Sequence, residues 1–405
     1  MENKASNPAI RPARRLEAVN EYYFSRKGKE VARMNAEGLD VISLAIGSPD
    51  MPPSAETIDT LCREAQKPEA HGYQPTTGIL QLREAMAGFY RRWYGVELDP
   101  ATEIQPLIGS KEGILHVTLA LVNPGEEVLV PNPGYPTYTS LSTLLGAEVR
   151  HYDLKPELGW QPDFDALERM DLSRVRLMWT NYPHMPTGAG ARRQTYERLV
   201  DFARRHSIVV VNDNPYSFIL NEEEHLSILQ VPGAKDCCIE LNSMSKSHNM
   251  PGWRVGLLAT NAEFVRWILK VKSNIDSGTL RPLQLAAAQA YANDDAWHRE
   301  ANVQTYARRR RLAEAIMQEL GCTCDPSQVG MFLWGRIPDT CATAEALTER
   351  VLHEARVFIT PGFIFGTGGD RYIRISLCAK EERIAEALER IRKMKTKTEP
   401  LKTKG

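Results

Sequence analysis

Residues 243–256 read SMSKSHNMPGWRVG. A single lysine, Lys246, stands among small hydroxyl residues, with Arg254 downstream in the same stretch. A lysine amine can form an imine with an aldehyde cofactor, and burial lowers its pKa enough to let it attack. Ser243 and Arg254 are residue types that grip a phosphate. Taken alone, the stretch also fits an ordinary loop with an exposed lysine, so its meaning depends on the segments around it.

Those segments alternate. Apolar, strand-like runs occur at 103–108, 127–130, 147–152, 176–180, 208–212, 238–242 and 255–260, with helical patterns at 112–122, 136–145 and 192–206. Near-continuously apolar strands separated by helices predict the α/β class: a mostly parallel sheet covered on both faces. Such sheets bind ligands at the carboxyl ends of their strands. Upstream, 16–34 reads as an amphipathic helix bearing Tyr22, Tyr23 and Phe24. VISLAIG (41–47) reads as a buried strand entering a turn, and 79–94 as a helix. Downstream, 282–320 reads as one long charged helix, in which Arg308–Arg311 form a solvated face rather than a nucleic-acid site. MFLWGRI (331–337) and RYIRISL (371–377) are strand candidates, with helices at 343–355 and 381–394 and a frayed lysine-rich tail over 393–405. This divides the chain into a large domain over 51–285 and a smaller α+β domain built from 1–50 and 286–405.

The unusual residues sit at the strand ends. Gly109, Ser110 and Lys111 end one strand and open a helix, where exposed backbone N–H groups cradle anions, although a plain helix cap uses the same residues. PNPGYPTY (131–138) holds Tyr135 in a rigid turn, as a stacking surface for a flat ring or as a simple turn tyrosine. VVVNDNPYSF (209–218) runs into Asp213 and Tyr216. A carboxylate there suits a cation such as a protonated pyridine nitrogen, or caps a helix. In YIRISL, Arg374 alternates with Ile373 and Ile375. It would clamp a carboxylate bidentately or face solvent.

Composition excludes several classes. The chain has 405 residues, and its 50 basic and 51 acidic residues leave a formal charge of -1, so no nucleic acid or membrane is called for as a bulk partner. Seven cysteines without a dense pattern form no disulfide framework, and neither Cys237-Cys238 nor Cys322 and Cys324 has zinc-site spacing, so no metal is expected. They read as reduced thiols in a cytoplasmic protein. The first residues carry no signal-peptide core and no run is apolar enough to span a membrane.

In this order the motifs resemble the class I/II, fold type I pyridoxal-phosphate aminotransferases, over nearly the whole length from Gly47 to the helix after Arg374. SxSKxxxxxGxRxG is met by Ser243–Gly256, and DxxY by Asp213 and Tyr216. The resemblance implies pyridoxal 5'-phosphate as cofactor, joined as an imine to Lys246, which then shuttles the substrate proton. It implies that Asp213 partners the pyridine nitrogen, Tyr216 the phenolic oxygen, and Tyr135 the ring face. Ser110, Lys111, Ser243 and Arg254 would surround the phosphate. Tyr73 would reach the phosphate of the neighbouring subunit, making a homodimer with shared active sites. Arg374, with Gly47 beside it, would hold the substrate α-carboxylate. The implied reaction is a ping-pong transfer of an amino group between an L-amino acid and a 2-oxo acid. β-Elimination on the same scaffold, a cofactor-binding regulator and a structural protein with a decayed site are the alternatives. The regulator is disfavoured because about 40 residues precede the first strand, too few for a DNA-binding domain. The intact Lys246, Asp213, Tyr216 and Arg254 disfavour the decayed site. One departure stands out: the family's N-P-T-G turn carries Met185 in place of asparagine, and a thioether donates no hydrogen bond.

Overall fold

The protein is described by a computed structural model covering residues 11–19 and 23–398. Tyr22, the first ten residues (part of the expected small domain and of the segment read for a signal peptide) and the tail beyond Thr398 lie outside the described residues.

The first strand, β1 (Ile42–Ser43), is shorter than the 41–47 run predicts. It pairs in parallel with β11 (Val357–Phe358). Beyond it Leu44 and Ala45 stay buried but serve other partners, Leu44 accepting from the Ser376 amide at 2.8 Å, while Ile46 is 55% exposed. The predicted 16–34 helix forms as Tyr23–Ala36.

Seven strands make the large sheet: β2 (Ile104–Leu107), β3 (Glu127–Asn132), β4 (Glu148–Asp153), β5 (Val175–Thr180), β6 (Val209–Asp213), β7 (Cys238–Ser243) and β8 (Gly256–Ala259). Their order is β2-β8-β7-β6-β5-β3-β4, with every pair parallel except the two that involve β8. Strands β3 and β7 are buried along their whole length, as apolar runs covered on both faces require. All seven lie within residues 51–285. A smaller antiparallel sheet, in order β12-β13-β10-β9, is built from β9 (Thr323–Cys324), β10 (Phe332–Arg336), β12 (Thr360–Pro361) and β13 (Tyr372–Ser376). The main apolar core joins the two sheets, including Met178 and Val210 on one side and Leu333 and Ile375 on the other.

The long helix expected over 282–320 is broken. It forms as Arg281–Ala290, Asp295–His298, a π-helical stretch Arg299–Gln304, and Thr305–Glu319. Asp294 explains the break: its side chain accepts the Trp297 amide at 2.8 Å and starts a new helix. The Arg308–Arg311 run is also not uniformly solvated. Arg309 is 5% exposed and pairs both guanidinium nitrogens with Asp50, at 2.6 and 3.0 Å. The last helix continues to Thr398 rather than ending at Met394, since no glycine or proline interrupts it before Pro400. Among the described residues no helix is long and apolar enough to cross a membrane.

Candidate active site

The lysine segment is locked by its own hydroxyls. Strand β7 ends at Ser243, whose Oγ accepts the Ser245 amide at 3.1 Å and caps the short helix Met244–Ser247. At its far end the Ser247 carbonyl accepts from Asn302 Nδ2 at 2.8 Å. Lys246 Nζ points across to donate to the Gly47 carbonyl. Burial, the largest influence, lowers the lysine pKa; Cys378 and Asp213 oppose this, while Arg374 and Arg254 reinforce it. The ordinary exposed-lysine loop is therefore not what forms.

One strand over, β6 ends in Asp213, 5% exposed. Its Oδ2 accepts the Tyr138 hydroxyl at 2.9 Å, and its Oδ1 has no partner among the described residues. Burial pushes its pKa up to about 6, against the pull of the Tyr138 and Ser110 hydroxyls and of Lys246. The Tyr138 ring is itself fixed, stacked on Trp179 with centroids 5.0 Å apart. Asn181 braces the same corner, donating to the Asp213 carbonyl at 2.5 Å and accepting the Met185 amide at 2.9 Å.

The anion-type corner forms where the first turn of Ser110–Leu121 meets Arg254. Gly109 has φ 76° and ψ 162°, a conformation that glycine alone adopts readily. A Cβ there would come within 2.2 Å of Arg254 Nη2. Arg254 Nη2 donates to the Ile108 carbonyl at 3.3 Å, and Nη1 to the Pro251 carbonyl at 3.0 Å and to Ser245 Oγ at 3.4 Å. Ser110 Oγ is buried without a partner among the described residues. Lys111 Nζ lies 6.0 Å from the centroid of the Tyr135 ring.

Opposite stands Arg374 on β13, only 4% exposed, so it does not face solvent. Its Nη2 donates to the Ala45 carbonyl at 2.8 Å and Nη1 contacts Met185 Sδ at 3.2 Å. The guanidinium carbon sits 3.9 Å from the Phe332 ring centroid and 4.6 Å from that of Phe365. Gly47 is needed because a Cβ would fall 2.2 Å from Phe332 Cζ. Tyr216 meets the same Phe332 ring edge-on, 5.9 Å between centroids.

These corners line one cavity of about 570 Å³. It contains Lys246, Ser110, Lys111, Tyr135, Asp213, Tyr216, Ser243, Arg254, Arg374 and Gly47, each a residue singled out from the sequence. Tyr73 is not there: it is 96% exposed. Sequence reasoning missed Tyr138, Asn181 and Ser245, although Tyr138 and Ser245 lie inside stretches already marked and Asn181 lies just before the turn that carries Met185. It also missed Phe24, Phe332 and Phe365, which no local spacing announces. The buried Asp213 Oδ1, and the Ser110 hydroxyl near it with Gly109 and Arg254, fit a flat ring with a basic nitrogen and a phosphate. Pyridoxal phosphate has that form.

The comparisons with known proteins agree. The family model for aminotransferase class I and II matches residues 39–391. An LL-diaminopimelate aminotransferase of Oleidesulfovibrio alaskensis is 42% identical over 381 residues, covering 94% of this chain and 98% of the relative. Among solved structures, substrate-bound BacF from Bacillus subtilis superposes with a TM-score of 0.90 at 32% identity, covering 95% of this chain and 98% of that one. An aromatic aminotransferase from Pyrococcus horikoshii gives 0.85 at 31% identity, with the same coverage.

Proposed function

The chain belongs to the class I and II aminotransferases, fold type I enzymes that use pyridoxal phosphate, and from that premise we propose how its cavity divides the work of amino transfer. The observation that carries the reading is the convergence of Lys246, Asp213 and Arg374 on one cavity, with Asp213 Oδ1 and Ser110 Oγ buried and unpartnered among the described residues.

Bound pyridoxal phosphate supplies an aldehyde and an electron-withdrawing ring that carries the amino group between the two half-reactions. Asp213 Oδ1 would hold the ring nitrogen's proton, with Tyr138 orienting the carboxylate through Oδ2. Tyr135 would cover the ring face, and Tyr216 would donate to the phenolic oxygen. Ser110, Lys111, Ser243 and Arg254 form the phosphate corner. Ser245 stands behind it, its Oγ accepting from Arg254 and from Ser243 Oγ. Arg374 takes the α-carboxylate, desolvated between Phe332 and Phe365, which strengthens the ion pair. Gly47, over which the Phe332 ring closes, would offer a backbone contact beside it. Lys246 Nζ then removes the α-proton: its lowered pKa favours the neutral amine, which a general base must be. Met185 fills the turn against Arg374 where asparagine is usual in the family, so Tyr216 would be the main donor to the phenolic oxygen.

The donor is an L-amino acid and the acceptor a 2-oxo acid; LL-diaminopimelate, for which the curated relative is named, belongs in the first donor panel. The β-elimination and regulator readings find no support among the relatives. We further propose a homodimer with shared sites, in which Tyr73 serves the neighbouring subunit. Its 96% exposure supports this, as does the exposure of Ile275 and Leu280 (51% and 45%) on the segment joined to it by the Gln74–Gly278 bridge. The division into 51–285 and 1–50 with 286–405 follows the two sheets, and seven free thiols favour a cytoplasmic setting.

Lys246→Ala tests the core of the proposal. The variant should still bind pyridoxal phosphate but lose the visible absorbance band of the lysine-bound cofactor, together with turnover. A normal band with retained turnover removes Lys246 from its role.

A further inference from the structure

Behind the helix that opens at Ser110 lies a partly buried charged cluster that the reaction does not touch. Glu112 and His116 come from that helix, Lys272 from the end of Ala262–Lys272, and Asp276 from the turn that follows. Lys272 is 3% exposed and His116 fully buried. Lys272 Nζ donates to Glu112 Oε1 and to both Asp276 oxygens, at 2.8 and 2.9 Å, while His116 Nε2 bonds Glu112 Oε1 at 2.8 Å. The Glu112, His116 and Asp276 ligand-type atoms all lie within 4.8 Å of one another, as in a metal site. Here the Lys272 ammonium already serves as the cation. Burying it is costly, and removing either partner would leave an uncompensated charge.

The bonds leading out of the cluster give it direction. Glu112 Oε2 accepts the Ile108 amide, and the Ile108 carbonyl accepts Arg254 Nη2 at 3.3 Å. Ile108 is thus held on one side by the cluster and on the other by the arginine of the anion corner, and Gly109 and Ser110 follow it directly. Burial alone would push the Glu112 carboxyl up; His116, Lys272 and the Ile108 amide together hold it well below the usual range.

We propose that Glu112 and Lys272 are positioning residues for the phosphate corner, setting the spacing between Ser110 and Arg254 through Ile108. The proposal rests on the assignment of that corner to the cofactor phosphate.

The test compares absorbance titrations of the full-length chain with pyridoxal phosphate and with pyridoxal, which lacks the phosphate. In Lys272→Met and in the isosteric Glu112→Gln, the dissociation constant for pyridoxal phosphate should rise roughly tenfold, the worth of one charge-assisted hydrogen bond. That for pyridoxal should stay unchanged, and Lys272→Arg should restore most of the loss. Equal weakening toward both ligands, or no weakening toward either, overturns the proposal. If Lys272→Met does not fold, Glu112→Gln decides by the same criterion. A wild-type chain indifferent to the phosphate would refute the corner's assignment itself, whereas a wild-type preference retained in the variants refutes only the positioning role.

Discussion

A carboxyl as deeply buried as Asp213 stays protonated to a higher pH than it would in the unfolded chain, moving from its usual 3.8 to about 6. In the cofactor-free protein the folded state therefore binds this proton more tightly than the unfolded one. The stabilisation is fully present below about pH 3.8 and is lost as the pH rises through about 6. Asp213→Asn removes the titration. Relative to that variant, the cofactor-free wild type should lose on the order of 3 kcal/mol at most between pH 4 and pH 7. Thermal midpoints of both proteins across that range check it, and parallel curves would refute the assignment. A protonated ring nitrogen opposite Oδ1 would relieve the same cost, so bound cofactor should flatten the wild-type curve. Met185 is the other residue where chemistry and packing meet. Its Sδ lies 3.2 Å from Arg374 Nη1, so it lies against the carboxylate clamp as well as filling its turn.

At the level of elements, the join between β2 and the helix Ser110–Leu121 carries the sharpest constraint. Gly109 combines a backbone conformation closed to other residues with contact against Arg254. Gly109→Ala should cost roughly 1–3 kcal/mol of stability and also weaken pyridoxal phosphate binding, because the guanidinium must move. Denaturant unfolding and cofactor titration read the two effects, and a variant matching wild type in both would contradict the geometry. The large-sheet strands were legible because strands covered on both faces write themselves as apolar runs bounded by turns. Lys246, Asp213 and the Gly109–Lys111 turn were legible because the chemistry of a parallel sheet gathers where its strands end. The 282–320 segment was not: its charge pattern hides Asp294, which differs from the surrounding acids only in capping a new helix. Arg309 was unreadable for a related reason. Its partner Asp50 is far away in sequence, and nothing local separates it from its exposed neighbours. The phenylalanines around Arg374 come from distant segments, so the desolvation of that arginine exists only in the fold.

At the scale of the whole molecule, Tyr73 is almost wholly exposed, on a segment tied by the Gln74–Gly278 bridge to exposed Ile275 and Leu280. A symmetric dimer would bury that surface against a second copy, and a two-fold axis would give each site one tyrosine from its neighbour. Mixed dimers separate this arrangement from one in which Tyr73 serves its own subunit. Lys246→Ala and Tyr73→Ala are each expected to be impaired as pure dimers. In a mixed dimer, the site with intact Lys246 borrows Tyr73 from the Lys246→Ala chain and is whole, while the other site carries both defects. Random mixing makes half the dimers mixed, each with one sound site of two, so activity should recover to about a quarter of wild type. Were Tyr73 to act within its own chain, every site in every dimer would carry one defect. The mixture would then never exceed the average of its parents, and the shared-site proposal would fall.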